Sequence, residues 1–272
     1  MLSSRMKARR SLPSRGISTM YKGYLIDLDG TMYNGTAVID GAVDFIDRLN
    51  KESIPYVFLT NNATKTQVEA AQKLLDMGFD IQPETLYTSS MATAAYLRET
   101  APGASVYVIG TKGLKGTLEA SGLTVTDSDA DYVVMGLDPE INYEKLSKGT
   151  LMINAGARFI ATNPDKKFPT EKGFVPGNGS LVSVLTVATG IEPVIIGKPE
   201  GIILESAVSE LGLPKEDVLM IGDNYDTDIL TGINGGVDTL HVNTGVTPRE
   251  DVEGKTHPPT YMIDNLKEWS VG

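Results

Sequence analysis

Tyr24-Leu25-Ile26-Asp27-Leu28-Asp29-Gly30-Thr31 runs from a short, wholly apolar stretch into two carboxylates and a glycine. An apolar run this short, stopped by a polar loop, suits a strand buried on both faces of a parallel sheet. The same junction recurs along the chain. Tyr56-Val57-Phe58-Leu59 ends in Thr60-Asn61-Asn62, Val194-Ile195-Ile196 ends in Gly197-Lys198-Pro199, and Val218-Leu219-Met220-Ile221 ends in Gly222-Asp223-Asn224. Helical patterns separate these runs, over 42–50, 66–77 with Gly78 as a stop, 181–188 and 201–211. Regular β-α alternation predicts an α/β fold, a Rossmann-like parallel-sheet core with helices on both faces.

The middle of the chain repeats the alternation with strands at 106–109, 132–135 and 158–161 and helices near 114–120 and 143–155. It reads as a second α/β unit inserted into the first. The expected boundaries are a core of 20–87 and 178–272 and an inserted cap of 88–177. No stretch approaches the roughly 20 apolar residues of a membrane helix, so a membrane span is not expected.

The sequence has no cysteine, which removes disulfides, thiolate metal sites and a cysteine nucleophile together. The net charge of −11 hides an asymmetry. Residues 1–19 carry five basic side chains (Arg5, Lys7, Arg9, Arg10, Arg15) and no acid; without them, 19 basic face 35 acidic residues, a net of −16. A body that acidic is a poor partner for nucleic acid polymers or anionic membranes. The basic leader is expected to be unstructured; a transit peptide, an upstream start or a vector remnant would each explain it. The expected location is cytoplasmic.

In an open parallel sheet, ligands sit outside the carboxyl ends of the strands. The groups predicted there are Asp27 and Asp29, Thr60 and Asn61, Lys198, then Asp223 and Asp228. Cleaving a phosphate monoester needs an in-line nucleophile, neutralised equatorial oxygens and a proton for the leaving oxygen. Asp27 is the candidate nucleophile, and forming an acyl phosphate would split one hard displacement into two. Two anions repel, so a cation must screen them; at about 4 Å and an effective dielectric near 20, unlike charges attract by roughly 4 kcal/mol. Magnesium suits oxygen donors from Asp27, the Asp29 carbonyl and Asp223. Asp29, swung away by the turn at Gly30, would protonate the leaving oxygen and later activate water. Thr60 and Asn61 could donate to the phosphoryl oxygens, with Lys198 as a fixed charge and Pro199 placed to start a helix.

Each piece has a plainer reading. Asp-X-Asp also occurs in calcium loops, sugar transferases and ordinary surfaces, Thr60-Asn61 could be a turn or helix cap, and Gly222-Asp223-Asn224 could be turn chemistry. The two histidines, His241 and His257, form no pair at metal spacing and suit surface or loop positions. What separates the readings is that four strand ends carry complementary groups.

In order and spacing, Asp27-Leu28-Asp29-Gly30-Thr31, Thr60-Asn61-Asn62, Gly197-Lys198-Pro199 and Gly222 to Asp228 together resemble the haloacid dehalogenase superfamily of phosphatases. The resemblance spans about Met20 to Trp269 and is nearest the NagD-type, para-nitrophenylphosphatase-like branch, with Ala161 to Asp165 and Pro176 to Gly179 fitting that branch in the cap. It implies a magnesium-dependent phosphatase with Asp27 as nucleophile, Asp29 as general acid and base, Thr60, Asn61 and Lys198 on the phosphate, and Asp223 on the metal. Asn224 and Asp228 are implied to support Asp223 from behind. An aspartate at position 29 also argues against halide displacement, which needs no proton donor there. The branch implies a small phosphorylated metabolite, such as UMP or a sugar phosphate, chosen by the cap; a homo-oligomer is left open. Asn163 and Asp165 are candidates for cap contacts with substrate, with a structural turn as the alternative. A phosphoryl transferase or mutase and a non-catalytic phosphometabolite sensor are the competing functions.

Overall fold

In a computed structural model, which describes residues 21–170 and 172–271, strand β1 (Gly23–Ile26) is buried at all four positions. The basic stretch 1–19 lies outside the described residues. After β1 come a small hairpin, β2 (Tyr33–Asn34) and β3 (Ala37–Val38), then α1 (Ala42–Lys51), β4 (Tyr56–Thr60) and α2 (Gln67–Asp76). Thr66 caps α2 in a capping box with Glu69, which satisfies two of the backbone groups that a helix start leaves open. Strand β5 (Leu86–Thr88) completes the first half of the core.

The inserted unit contains α3 (Ser89–Thr100), β6 (Ser105–Ile109), α4 (Lys112–Ala120), β7 (Thr124–Val125), β8 (Tyr132–Met135), α5 (Tyr143–Asn154), β9 (Arg158–Ala161), a hairpin of β10 (Lys167–Thr170) and β11 (Gly173–Pro176), α6 (Asn178–Thr189) and β12 (Val194–Ile195). The chain returns to the core through α7 (Gly201–Leu211), β13 (Val218–Gly222), α8 (Leu230–Gly235), β14 (Asp238–Val242), α9 (Arg249–Glu253) and β15 (Tyr261–Ile263).

The core sheet is parallel in the order β15-β14-β13-β1-β4-β5. The connections leave β1 toward β4 on one side and come back to β13 on the other. That reversal opens a crevice at the carboxyl end of β1, where Asp27 sits. Alternation assigns the two faces. Tyr24, Ile26, Tyr56 and Phe58 pack with Phe45, Ile46 and Leu49 of α1 and Leu74 of α2, whereas Leu25, Val57 and Leu59 pack toward Ile203, Leu204 and Ala207 of α7.

The cap sheet is also parallel, in the order β12-β9-β8-β6-β7. This moves the expected boundary. Val194 pairs with Ile160 and Ile195 with Ala161, and Val182 and Leu185 of α6 pack with Ile153 of α5. Helix α6 and strand β12, assigned to the core from the pattern, therefore belong to the cap, whose sheet runs on to Ile195. A two-residue edge strand takes its partner from tertiary packing, which local periodicity does not encode. Pro199 does not begin α7 either: the helix starts at Gly201 with Glu200 as its cap.

Candidate active site

Strand β1 delivers Asp27 to the crevice, with its N–H bonded to the carbonyl of Ile221 on β13. Beyond it the chain folds tightly, because the amides of Thr31, Met32 and Tyr33 all donate to the carbonyl of Leu28. Gly30 has φ +92° and lies against Asp223, where a Cβ would meet the carboxyl carbon at 2.4 Å. Glycine is required here both for the left-handed backbone and for the close approach.

Strand β13 brings Asp223, and the single turn of π-helix at Tyr225–Ile229 brings Asp228. Asp27, Asp223 and Asp228 each offer a carboxylate oxygen, all within 4.8 Å of one another, and all three are buried. Lys198 neutralises part of this charge: its Nζ is 2.5 Å from Asp27 Oδ1 and 2.7 Å from Asp228 Oδ1. Its own burial opposes the charged ammonium, but the fields of Asp228 and Asp27 outweigh that and hold its pKa above the ordinary lysine value. Asp27 is pushed well above the usual carboxylate range, first by burial and then by Asp228, against the pull of Lys198. Asp223 is pushed up to about 6 by burial and Asp228, although the Val246 N–H (2.6 Å) and the Thr31 hydroxyl (3.1 Å) donate to it.

One ammonium among three buried carboxylates leaves negative charge uncompensated, and a hard divalent cation is the natural occupant of such an oxygen cluster. The residues present fit that group. Asp228, implied only as a support behind Asp223, is itself one of the three clustered carboxylates. Asn224 touches Asp228 rather than Asp223: its N–H donates to Asp228 Oδ2 at 3.1 Å and its side chain accepts from the Asp226 N–H at 3.0 Å.

Asp29 lies apart from the cluster. It is exposed, yet partial desolvation by the protein around it raises its pKa, against the opposing pull of Lys73, Tyr33 and Lys198. Thr60, at the end of β4, accepts from the Asn62 N–H through Oγ1 at 3.1 Å, which leaves its hydroxyl proton to donate.

Asn61 is engaged within the protein. Its Nδ2 donates to the Lys198 carbonyl (3.0 Å) and to Asp165 (3.2 Å to each oxygen), and its Oδ1 accepts the Lys198 N–H at 2.7 Å. Only its backbone N–H is left for a ligand, with no partner among the described residues. Asn163 also serves structure, donating to the Asn61 carbonyl at 2.8 Å and accepting the Asp165 N–H at 3.2 Å. This i to i+2 bond closes a turn at Asn163, and Asp165 holds Asn61 while burial raises its own pKa.

Several contributors escaped the sequence reading. Gly245 lets its loop close over Asp223, since a Cβ there would lie 2.5 Å from the Asp223 carboxyl carbon. His241 is fully buried on β14, against the expectation of a surface or loop position. Its Nε2–H donates to the carbonyls of Asp223 and Thr247, 3.0 Å each, which pins the loop carrying Asp223, and burial lowers its pKa. Nothing local marked either residue, because the strand before Gly245, Asp238–Val242, mixes Asp238, Thr239 and His241 with only two apolar residues.

Residues 24–124 match the family described as haloacid dehalogenase-like hydrolase, and residues 195–269 match its HAD-hydrolase-like companion. An acid sugar phosphatase of Staphylococcus epidermidis is 53% identical over 247 residues, covering 90% of this chain and 95% of that one. The chain belongs to the haloacid dehalogenase-like hydrolases. An acid sugar phosphatase of Staphylococcus aureus is 54% identical over 249 residues, covering 91% and 96%. Among solved structures, a double mutant of the thermostable NPPase from Geobacillus stearothermophilus superposes with a TM-score of 0.88 at 45% identity, covering 92% and 98%. A p-nitrophenyl phosphatase from Archaeoglobus fulgidus does so with 0.85 at 35% identity, covering 91% and 97%. This haloacid dehalogenase-like hydrolase is a phosphatase of the NagD-like branch. No helix among the described residues is long and apolar enough to cross a membrane.

Proposed function

We propose that this phosphatase is magnesium-dependent and hydrolyses small phosphate monoesters through a phosphoaspartate on Asp27. The observation that carries the reading is the buried triad of Asp27, Asp223 and Asp228, with Lys198 bonded to two of its members. Magnesium, held by Asp27, the Asp29 carbonyl and Asp223, would supply the charge that lets a carboxylate approach a phosphate.

In the first step an Asp27 oxygen forms a bond to phosphorus as the ester P–O bond breaks. The electron pair of that bond leaves on the ester oxygen, which takes a proton from Asp29. Lys198 holds Asp27 in line, and the Thr60 hydroxyl with the Asn61 N–H steadies the equatorial oxygens. In the second step Asp29 takes a proton from water, the water oxygen attacks phosphorus, and orthophosphate leaves Asp27 free. The names of the Staphylococcus relatives favour a sugar phosphate over a nucleotide such as UMP.

Release of orthophosphate from p-nitrophenyl phosphate is expected to require magnesium, to stop on adding chelator, and to vanish in Asp27→Asn while circular dichroism shows the fold intact. Turnover retained by Asp27→Asn would remove the nucleophile assignment. A panel of sugar phosphates and nucleoside monophosphates, read by orthophosphate release, ranks the substrates, and isomerised phosphate without orthophosphate would mark a mutase instead.

A further inference from the structure

Tyr33 is placed against Asp29 by an arrangement that the phosphatase chemistry above does not use. The tyrosine is buried, with 4% of its surface exposed, as part of the apolar cluster of the core. Its N–H donates to the Leu28 carbonyl and its carbonyl accepts the Gly30 N–H at 2.8 Å, so residues 28–33 form one closed loop. Lys73 of α2 places its Nζ 3.7 Å from the centre of the ring, a cation–π contact that ties the loop to the helix beside it. Held in this way, the Tyr33 hydroxyl lies 3.4 Å from Asp29 Oδ2, its only hydrogen-bond partner among the described residues.

We propose that Tyr33, clamped by Lys73, is a positioning residue that fixes which oxygen of Asp29 carries the proton to the leaving group. A phenol O–H that donates to Oδ2 makes that oxygen the acceptor, so the transferable proton resides on Oδ1. The orientation matters because proton transfer to the ester oxygen succeeds only from a group within hydrogen-bond reach and correctly turned. A separation of 3.4 Å is long for O–H···O, and catalytic hydrogen bonds of this kind shorten when substrate closes the site. Lys73 stiffens the phenol from its ring face, 3.7 Å from the ring centre, and its charge also acts directly on Asp29, so the hydroxyl of Tyr33 is the group that tests positioning alone.

This inference rests on Asp29 acting as the general acid, and leaving-group chemistry separates the two. Substituted phenyl phosphates of nearly equal size differ in how much they need a proton: p-nitrophenolate leaves readily, unsubstituted phenolate poorly. Values of kcat/KM report the chemistry up to formation of the phosphoaspartate. Their dependence on leaving-group pKa within one variant is independent of how much enzyme is folded. The dependence is expected to be steeper in Tyr33→Phe than in wild type, with phenyl phosphate losing about tenfold more than p-nitrophenyl phosphate. Asp29→Asn should show the steepest dependence.

Parallel lines for Tyr33→Phe and wild type would overturn the positioning role, because a merely structural tyrosine lowers all substrates alike. A flatter line would overturn it too, showing that Tyr33 holds Asp29 away from the ester oxygen. If Asp29→Asn itself runs parallel to wild type while Asp27→Asn is inactive, the phosphatase reading stands and the positioning inference falls. Turnover by Asp27→Asn brings down the reading beneath both.

Discussion

Asp223 has no exposed surface, and it shares a small volume with two further carboxylates and one ammonium. Such a group is held by its role, since burial and like charge both oppose its ionised form. With its folded pKa at about 6, above the ordinary carboxylate value, ionised Asp223 costs stability in the cation-free protein. The stability tied to its protonated form is complete below the unfolded pKa near 4 and is lost as pH rises through about 6. Asp223→Asn keeps an acceptor for Thr31 or Val246 without the charge. In chelator it should therefore be more stable than wild type by about 2 kcal/mol at pH 7.5, with the difference shrinking toward pH 4.5. Urea unfolding at the two pH values reads this directly, and a pH-independent difference would show that lost hydrogen bonds outweigh charge.

At the scale of elements, the structure redistributes the four signature loops. Three follow strands of the core sheet, but Lys198 follows β12 of the cap sheet, and Asn61 is the joint between them. The approach is close enough that a Cβ on Gly197 would meet Asn61 Oδ1 and the Thr162 carbonyl, each at 2.5 Å. Asn61→Ala removes the two bonds to the Lys198 backbone that join the ends of β4 and β12, and the contacts with both oxygens of Asp165, freeing Lys198 to shift relative to Asp27. A misplacement of about 1 Å costs on the order of 100-fold in rate, so kcat/KM should fall by about that factor while Thr60, proposed above to bind the phosphoryl group, stays in place. Activity within a few-fold of wild type would mean that Lys198 is located by its ion pairs alone. The sequence made the β-α order, most helix and strand limits and the clustered carboxylates legible, because apolar runs ending in polar loops are a local signal. Strand β14 was not legible, since Asp238, Thr239 and His241 are polar residues whose partners lie far along the chain: Tyr21 for Asp238, Thr260 for Thr239 and the Asp223 carbonyl for His241. Strand β15, three residues long, is too short to show a period.

Over the whole molecule, the inserted unit shares an apolar interior with the core. One continuous cluster joins Leu25, Val57 and Leu59 of the core sheet to Val106, Val108, Val134 and Ile160 of the cap sheet. The link is a helical layer in which α3 packs on both α4 and α7. Separating the units would expose Ala92 and Leu97 on one side and Ile203, Leu204 and Ala207 on the other, each now fully buried. Burying a Leu or Ile side chain contributes roughly 1.5–3 kcal/mol, so this layer accounts for several kcal/mol of coupling, a sizeable part of a typical 5–15 kcal/mol total. Two units coupled that strongly unfold together. Calorimetry is expected to show one transition with matching calorimetric and van't Hoff enthalpies, even though the chain contains two complete parallel sheets. Excising 88–177, the boundary read from the sequence, should give aggregating protein, since it leaves α6 and β12 without α5 and β9 and uncovers α7. Two resolved transitions, or a soluble and folded excision product, would show that the helical layer is an interface between independent domains instead of a common core.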